Sequence, residues 1–310
     1  MTWQASKDPT EHDGKNDPVE ALIVPRVRDI GDFTVRRALP ARQRQMVGPF
    51  IFLDQMGPVT FVSDQAMDVR PHPHIGLSTI TWLFAGEIRH RDSLGSDLTI
   101  RPGEVNWMTA GSGIVHSERS PQSSRGTDST LAGIQTWVAL PSAREEMAPA
   151  FVHYPASEIP HLDDKGMRIA LIAGSAFGKR SPVLTASETL YAEVKLEQGG
   201  QLSLPVLAEE QALYLYSGEL DIAGAHFKAG TLIVLRPEAT VLVKALQTSC
   251  FMLLGGDGLD GPRYIDWNFV SSRKERIEQA RDDWREQRFA RVPGDELEYI
   301  ALPENVREAE

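Results

Sequence analysis

An internal repeat is the feature that most limits how this chain can fold. Residues 82–88 (WLFAGEI) match residues 214–220 (YLYSGEL), and residues 100–105 match residues 227–232 if the second copy has a shorter hairpin between the two segments. Each copy reads as a strand, a glycine turn, a second strand, another glycine turn and a third strand. The repeat therefore predicts two similar β-domains, one after the other in the chain.

Short strand-like segments separated by Gly, Pro, Asp and Ser continue from residue 21 to about residue 270. Between Leu190 and Leu196, apolar residues occupy every second position, which is the pattern of a half-buried strand. Many short strands at this spacing are typical of a sandwich, barrel or jelly roll. We therefore predict an all-β fold.

The predicted organisation has four parts: a flexible N-terminal tail at 1–20, a metal-binding β-domain at 21–145, a second β-domain without metal at 146–260, and a C-terminal arm at 261–310. One helix is predicted in the arm, from about Arg273 to Gln287, because residues 272–275 (SRKE) have the form of a capping box. Ile277, Ala280 and Trp284 fall on one stripe of this helix, so they are expected to face protein. The opposite side, with Glu275, Glu278 and Asp282, is expected to face solvent.

The chain has 310 residues and a formal net charge of −11, which disfavours direct binding to nucleic-acid backbones. Its single cysteine, Cys250, cannot form an internal disulfide. The polar N-terminus lacks the apolar core of a signal peptide, and no segment approaches the ~20 apolar residues of a membrane span. We expect a cytoplasmic protein with no direct contact to nucleic acid or membrane.

Two triplets, 72–74 (HPH) and 116–118 (HSE), place metal-binding side chains two residues apart. On a β-strand, residues i and i+2 point to the same face, about 6.6 Å apart along the strand. Each triplet can therefore present two ligands to one point. A lone histidine in a β-protein is more often structural, but both triplets have strand spacing and lie beside strands of the same repeat. Three imidazoles and a carboxylate suit a first-row transition metal with open coordination positions; the candidate ligands are His72, His74, His116 and Glu118.

The second copy of the repeat lacks the first histidine pair. Sliding the copies onto each other without gaps places the triplet at 72–74 over Leu204-Pro205-Val206. We therefore predict one metal site, in the N-terminal half, and a second barrel filled by aliphatic side chains that include Leu204 and Val206. His90, on the strand after the first glycine turn, is compatible both with lining the cavity and with a surface position.

Four longer stretches are similar to one known family: residues 70–76 (RPHPHIG), 86–95 (GEIRHRDSLG), 101–118 (RPGEVNWMTAGSGIVHSE) and 263–272 (RYIDWNFVSS). They resemble the pirin family of two-domain cupins over nearly the whole chain. The resemblance implies a bicupin, with a double-stranded β-helix (jelly roll) in each half and a C-terminal helical arm. It also implies one divalent transition metal, most often Fe(II) although other divalent metals are possible, held by His72, His74, His116 and Glu118.

The same resemblance implies a quercetin 2,3-dioxygenase-like activity on small aromatic substrates of the flavonol type, with dioxygen as the second substrate. Glu118 would then be the catalytic general base as well as a ligand, because it would take the proton of the flavonol hydroxyl. Ring opening would release carbon monoxide and a depside. The alternative is a non-enzymatic metal- or redox-sensing regulator that binds a protein partner, since some pirins resemble transcriptional co-regulators. Carbon monoxide release would favour the enzyme, and partner binding that depends on metal oxidation state would favour the regulator.

Overall fold

The computed structural model describes residues 17–31, 33–63 and 65–303. Most of the predicted tail, residues 1–16, lies outside these ranges. The strands of the first half are β1 (Val19–Ile23), β2 (Arg26–Asp29), β3 (Thr34–Leu39), β4 (Phe50–Phe61), β5 (Asp68–His74), β6 (Leu77–Ala85), β7 (Ile88–Asp92), β8 (Asp97–Ile100), β9 (Val105–Thr109), β10 (Ile114–Arg119), β11 (Ser129–Ala139) and β12 (Ala150–Tyr154).

The strands of the second half are β13 (His161–Asp164), β14 (Met167–Ala173), β15 (Ser175–Ala176), β16 (Lys179–Arg180), β17 (Thr189–Leu196), β18 (Gln201–Leu204), β19 (Glu210–Ser217), β20 (Glu219–Ile222), β21 (Ala225–Lys228), β22 (Thr231–Leu235), β23 (Val241–Ala245), β24 (Ser249–Gly256), β25 (Tyr264–Asp266) and β26 (Phe269–Ser271). The described helices are α1 (Lys274–Arg285) and three single turns of 3-10 helix, Gln122–Ser124, Ser142–Arg144 and Ala156–Glu158. None of these helices has both the length and the apolar character that a membrane span requires.

The strands form two barrels of the same plan, as the repeat predicts. The first barrel has a large sheet in the order β12-β9-β6-β11-β4-β3-β2 and a small sheet in the order β5-β10-β7-β8. The second has a large sheet in the order β1-β22-β19-β24-β17-β14-β13 and a small sheet in the order β18-β23-β20-β21. The all-β prediction is confirmed.

The two halves exchange one strand each. β1, from the beginning of the chain, pairs with β22 in the second barrel, and β12, from beyond residue 145, pairs with β9 in the first. The exchange is symmetric, because β9 and β22 are equivalent strands of the repeat. The predicted ranges 21–145 and 146–260 stay predictions, and backbone pairing crosses the boundary between them in both directions.

The two large sheets pack face to face and form the core between the barrels. Trp82 and Ile134 from the first sheet and Tyr214 and Leu254 from the second belong to one buried cluster. At its edge, the Tyr214 hydroxyl donates a hydrogen bond to Gln55 Oε1 at 2.6 Å. Burying one large apolar side chain contributes roughly 1.5–3 kcal/mol, so this face strongly favours the joined state of the barrels.

The second barrel is filled by aliphatic side chains, but the prediction for Val206 is wrong. Leu202 and Leu204 are buried inside the barrel, whereas Val206 is 44% exposed. In the ladders, Leu204 pairs with Val241 as His72 pairs with His116. Val206 is exposed because β18 ends at Leu204, two residues before the position that matches His74, and residues 205–209 form the connection to β19.

The helix of the arm packs as predicted, with Ile277, Ala280 and Trp284 buried and the opposite side exposed. The predicted capping box does not form, because the residue before the helix is Arg273, which makes no side-chain cap. Ser272 instead donates through its N–H and its hydroxyl to Glu145 of the body. Glu145 also pairs with the buried Arg263 at 2.9 Å, so the arm is attached through a buried polar cluster.

Beyond the helix, the arm crosses the outer side of the small sheet of the first barrel. Asp295 accepts two hydrogen bonds at 2.8 Å from Arg119 of β10 and one at 2.7 Å from Arg91 of β7. Ile300 N–H donates to the Pro71 carbonyl of β5 at 2.9 Å. One segment of chain therefore connects β5, β7 and β10 from behind.

Replacing Leu204 tests the register of β18 in the second barrel. We expect Leu204→Asp to unfold the protein or lower its free energy of unfolding by several kcal/mol, because an unpaired carboxylate in a closed aliphatic barrel is strongly destabilising. Val206→Asp is the matched control and should change the free energy of unfolding by less than about 0.5 kcal/mol. Denaturant titration of both variants measures the difference. Equal destabilisation by both would contradict the register.

Truncation of Trp284 tests the docking of the arm. Trp284→Ala should lower the free energy of unfolding by about 3–5 kcal/mol, because it removes a buried aromatic side chain from a packed cluster. Glu278→Ala, on the exposed side of the same helix, should have little effect. If the Trp284→Ala protein were as stable as the wild type in thermal and denaturant unfolding, the docked arm would not contribute to the stability of the protein.

Candidate metal centre

The pairing of β5 with β10 brings the two histidine-bearing segments together. His72 lies opposite His116 and His74 lies opposite Ile114, so the three imidazoles project from neighbouring positions on one face. β5 is the edge strand of its sheet, which accommodates Pro71 and Pro73, because a missing N–H on the free side costs no ladder hydrogen bond. The register shifts between His116 and Glu118, so Glu118 pairs with Val69.

The three imidazoles form a compact, buried cluster inside the first barrel. One ring nitrogen from each lies within 4.8 Å of the others. His74 Nε2 lies 3.1 Å from His116 Nε2. The exposed fractions of His72, His74 and His116 are only 7%, 2% and 1%.

This arrangement fits a divalent metal ion. Two nitrogen ligands at right angles around an ion ~2.1 Å from each would lie about 3.0 Å apart, close to the observed approach of the two Nε2 atoms. His72 Nδ1 lies 2.9 Å from the Arg70 carbonyl, which can only accept a hydrogen bond. Nδ1 therefore carries the proton and leaves the Nε2 lone pair of His72 free for a metal.

The electrostatics keep the imidazoles neutral. Burial, followed by the proximity of His72, holds the pKa of His74 and of His116 well below the usual range. Burial also lowers the pKa of His72, although the neighbouring Glu118 opposes the shift. Neutral imidazole is the form that coordinates metals, so the site needs little proton release before it binds an ion.

Glu118 is placed differently from the three histidines. Its carboxylate is not within the mutually close set of donor atoms in the described residues. Gln135 Nε2 donates to both carboxylate oxygens at 3.0 Å, and the Thr81 hydroxyl lies 3.4 Å from Oε1. The structure thus brings His72, His74 and His116 together, while the roles of Glu118 as ligand and catalytic base stay predictions.

Several neighbouring side chains were missed from the sequence or left undecided. His90 is buried beside His116, so its cavity-side position is the one observed. Asp92 lies behind His90, and Gln135 and Thr81 hold Glu118 from the opposite sheet. The segment 90–92 (HRD) has the same i, i+2 spacing as the ligand triplets, which was the available signal. No local sequence pattern indicates that Gln135 or Thr81 belongs to the site, because they reach it only through sheet-on-sheet packing.

An aromatic wall borders the cluster. The Trp137 ring stands edge-on to His74 with centroids 5.2 Å apart, and Phe52 stacks on Trp137 at 3.9 Å. The Arg37 guanidinium lies 4.4 Å from the Phe52 centroid and forms a two-point ion pair with Asp54. The wall offers a flat, apolar surface beside the imidazoles.

Two β-barrels packed back to back, with a histidine cluster inside the first, define a bicupin, as the sequence predicted. The Pirin family profile matches residues 32–138, and the profile of the pirin C-terminal cupin domain matches residues 191–290. The chain belongs to the pirin family.

Individual relatives agree with this assignment. A pirin-like protein of Caulobacter vibrioides is 47% identical over 92% of this chain and 100% of its own length. A crystal structure of a quercetin 2,3-dioxygenase from Acinetobacter baumannii is 34% identical, covers 93% of this chain and 97% of its own, and has a TM-score of 0.83. A second one from the same organism is 27% identical over 87% and 97%, with a TM-score of 0.81.

The lowered pKa values of the histidines predict a pH dependence of stability for metal-free protein. Below pH 6.5 the unfolded histidines take up protons that the folded ones do not bind, so the free energy of unfolding falls as pH decreases through this window. Each such histidine contributes up to about 1.4 kcal/mol per pH unit. Denaturant titrations at pH 7.5 and 5.5 in the presence of a chelator measure the loss.

Two variants serve as controls for this dependence. His74→Leu, which replaces one imidazole of the cluster by an aliphatic side chain, should make the loss between the two pH values smaller. His226→Gln alters an exposed histidine and should leave the loss unchanged. An identical pH dependence in wild type and His74→Leu would contradict the assignment of this dependence to the buried histidines.

Proposed function

We propose that this protein is a metal-dependent dioxygenase that cleaves quercetin-type flavonols. His72, His74, His116 and Glu118 would hold one divalent metal, with Fe(II) as the ion preferred for reaction with dioxygen. The observation that carries the proposal is the convergence of three buried, neutral imidazoles on one point inside the first barrel. The extensive similarity to two solved quercetin 2,3-dioxygenases supports the choice of substrate class.

The chemistry of this site divides between the bound metal and the protein. When bound, the metal supplies Lewis acidity and a common anchor for the two substrates. Glu118 accepts the proton of the flavonol hydroxyl at a carboxylate oxygen, and the resulting flavonolate is the electron-rich form that reacts with dioxygen. Gln135 and Thr81 donate hydrogen bonds to that carboxylate, so they orient it.

The remaining contribution of the protein is shape and the exclusion of water. Trp137 and Phe52 form a flat wall on which an aromatic ring system can lie next to His74. The ligand side chains are almost completely buried, so a substrate in the site replaces water rather than sharing the site with it. A planar, chelating aromatic alcohol fits these features better than an aliphatic substrate does.

Turnover of quercetin by iron-loaded protein tests the proposal. We expect one metal ion per chain, consumption of dioxygen, and one carbon monoxide and one depside released for each quercetin consumed. The double variant His72→Ala/His74→Ala should lose both the metal and the activity. Iron-loaded wild type that leaves quercetin unchanged would overturn the proposed substrate. Stoichiometric metal retained by the double variant would overturn the proposed site.

The dual role of Glu118 makes a separate prediction. Glu118→Gln should lose turnover by about a hundredfold or more, because an amide cannot accept the substrate proton. Metal occupancy should fall much less, since three imidazoles remain. Metal analysis and turnover on the same preparation separate the two effects. Near-wild-type turnover in metal-loaded Glu118→Gln would show that the proton goes to another group.

A further inference from the structure

A chain of three side chains leads away from the imidazole cluster into the small sheet. His116 Nδ1 lies 3.4 Å from His90 Nδ1, and His90 Nε2 lies 3.1 Å from Asp92 Oδ2. His116 Nε2, on the other edge of the same ring, faces His74 Nε2. The chain therefore approaches His116 from the side opposite the cluster.

The protons in this chain follow from what each atom can donate. An ionised Asp92 can only accept, so His90 Nε2 carries a proton. In this tautomer His90 Nδ1 offers a lone pair, so the proton between the two rings, whose Nδ1 atoms lie 3.4 Å apart, is carried by His116 Nδ1. His116 Nε2 is left without a proton and points its lone pair at the cluster. The chain thus selects the tautomer of His116 that can coordinate a metal.

The surroundings of Asp92 fix its carboxylate in the orientation that accepts a hydrogen bond from His90. Its side chain is completely buried, and its second oxygen, Oδ1, accepts hydrogen bonds from the N–H groups of Leu94 at 2.9 Å and Ser96 at 3.0 Å. Although burial alone raises the pKa of Asp92, the hydrogen bonds from His90 and Ser96 outweigh it and lower the pKa. Phe151 stacks on His90 at 4.2 Å and holds that ring in plane.

The second barrel shows what the same positions contain when no site is present. In the first barrel, His116 pairs with Asp92 and Glu118 pairs with His90. Because the repeat matches Ile88 with Leu220, His90 corresponds to the buried Ile222, which pairs with Val243, and Asp92 corresponds to Gly224. The ligands and the two side chains behind them are therefore absent together from the second barrel. A purely structural role for the pair would not require its loss with the histidines.

We propose that Asp92 and His90 are positioning residues that fix the tautomer and orientation of His116 for metal binding. The inference rests on the proposed metal centre and adds to it two residues that do not touch the ion. His90 is not a ligand of the same centre, because the His116 ring lies between them with His90 on its Nδ1 side and the cluster on its Nε2 side.

Asp92→Asn is the informative substitution. The Oδ1 oxygen must stay with the two backbone N–H donors, so the new amide group faces His90 and donates to it. This reverses the chain: His90 Nδ1 then donates to His116 Nδ1, and the proton of His116 moves to Nε2, where it blocks the metal. The same loss of the correct tautomer follows an Asp to Asn change behind a catalytic histidine. Nitrogen-15 NMR of histidine-labelled, metal-free protein reads the tautomer directly.

Zn(II) affinity is the second readout, measured by competition with a chromophoric chelator. Asp92→Asn is expected to lose about 10–100-fold, the usual cost of removing such an outer hydrogen bond. Asp97→Asn is the matched control, since it makes the same change in the same hairpin at an exposed ion pair with Arg89, and it should bind Zn(II) within twofold of wild type.

A second pair of variants keeps the test valid if Asp92→Asn folds poorly. His90→Asn retains an oxygen near the position of Nδ1 that can accept from His116, whereas His90→Phe retains ring volume without an acceptor. We expect His90→Asn to bind Zn(II) more tightly than His90→Phe by about tenfold, although Phe preserves more of the packing. Thermal unfolding of both metal-free variants separates this difference from stability.

The outcomes distinguish the two levels of inference. If wild type binds no Zn(II) through its histidines, the proposed metal centre fails. If wild type binds Zn(II) while Asp92→Asn keeps the wild-type His116 tautomer and affinity, the metal centre stands and the positioning role is overturned. Equal affinities of His90→Asn and His90→Phe would also overturn it. A reversed tautomer together with weakened Zn(II) binding supports it.

Discussion

The antiparallel pairing of β5 with β10 is the constraint on which the site depends. It places His72 directly opposite His116, and the two-residue period of the strands adds His74 on the same face. A shift of β5 by one residue against β10 would turn His72 and His74 to the other face of the sheet, away from His116. The backbone hydrogen bonds of this ladder fix the relative positions of the strands that carry the ligands, which reduces the cost of ordering the site when an ion binds.

The rest of the protein holds this pairing in place from three sides. The large sheet of the first barrel closes over the ligands and supplies Gln135 and Thr81 to Glu118. The arm crosses behind β5, β7 and β10, with Asp295 bridging the two arginines there. Gly76, just after β5, has a φ of +69°, and a Cβ at that position would collide with the Val270 carbonyl of the arm. The arm therefore packs closely against the end of β5, the strand that carries two of the histidines.

The two barrels share one topology but enclose different kinds of side chain. The first encloses imidazoles, carboxylates and an amide, and such groups lower stability unless each has a partner. The second encloses aliphatic side chains, whose burial contributes stability without any polar partner. Because the large sheets share a core and exchange β1 and β12, the stability of the second barrel is transmitted to the first. The fold can therefore maintain a buried polar site that a single barrel of this size would support less well.

The sequence alone determined the all-β repeat, the histidine triplets and the buried stripe of the helix, because strand period, helix period and turn residues are local properties of the chain. It also limited the site to one half, since the second copy has lost the first histidine pair. Only the tertiary structure decided the exchange of β1 and β12, the exposure of Val206, and the approach of His90, Asp92 and Gln135 to the ligands. These depend on loop lengths and on which sheet faces which, and a side chain carries no local signal of a partner tens of residues away that sheet packing brings within hydrogen-bonding distance.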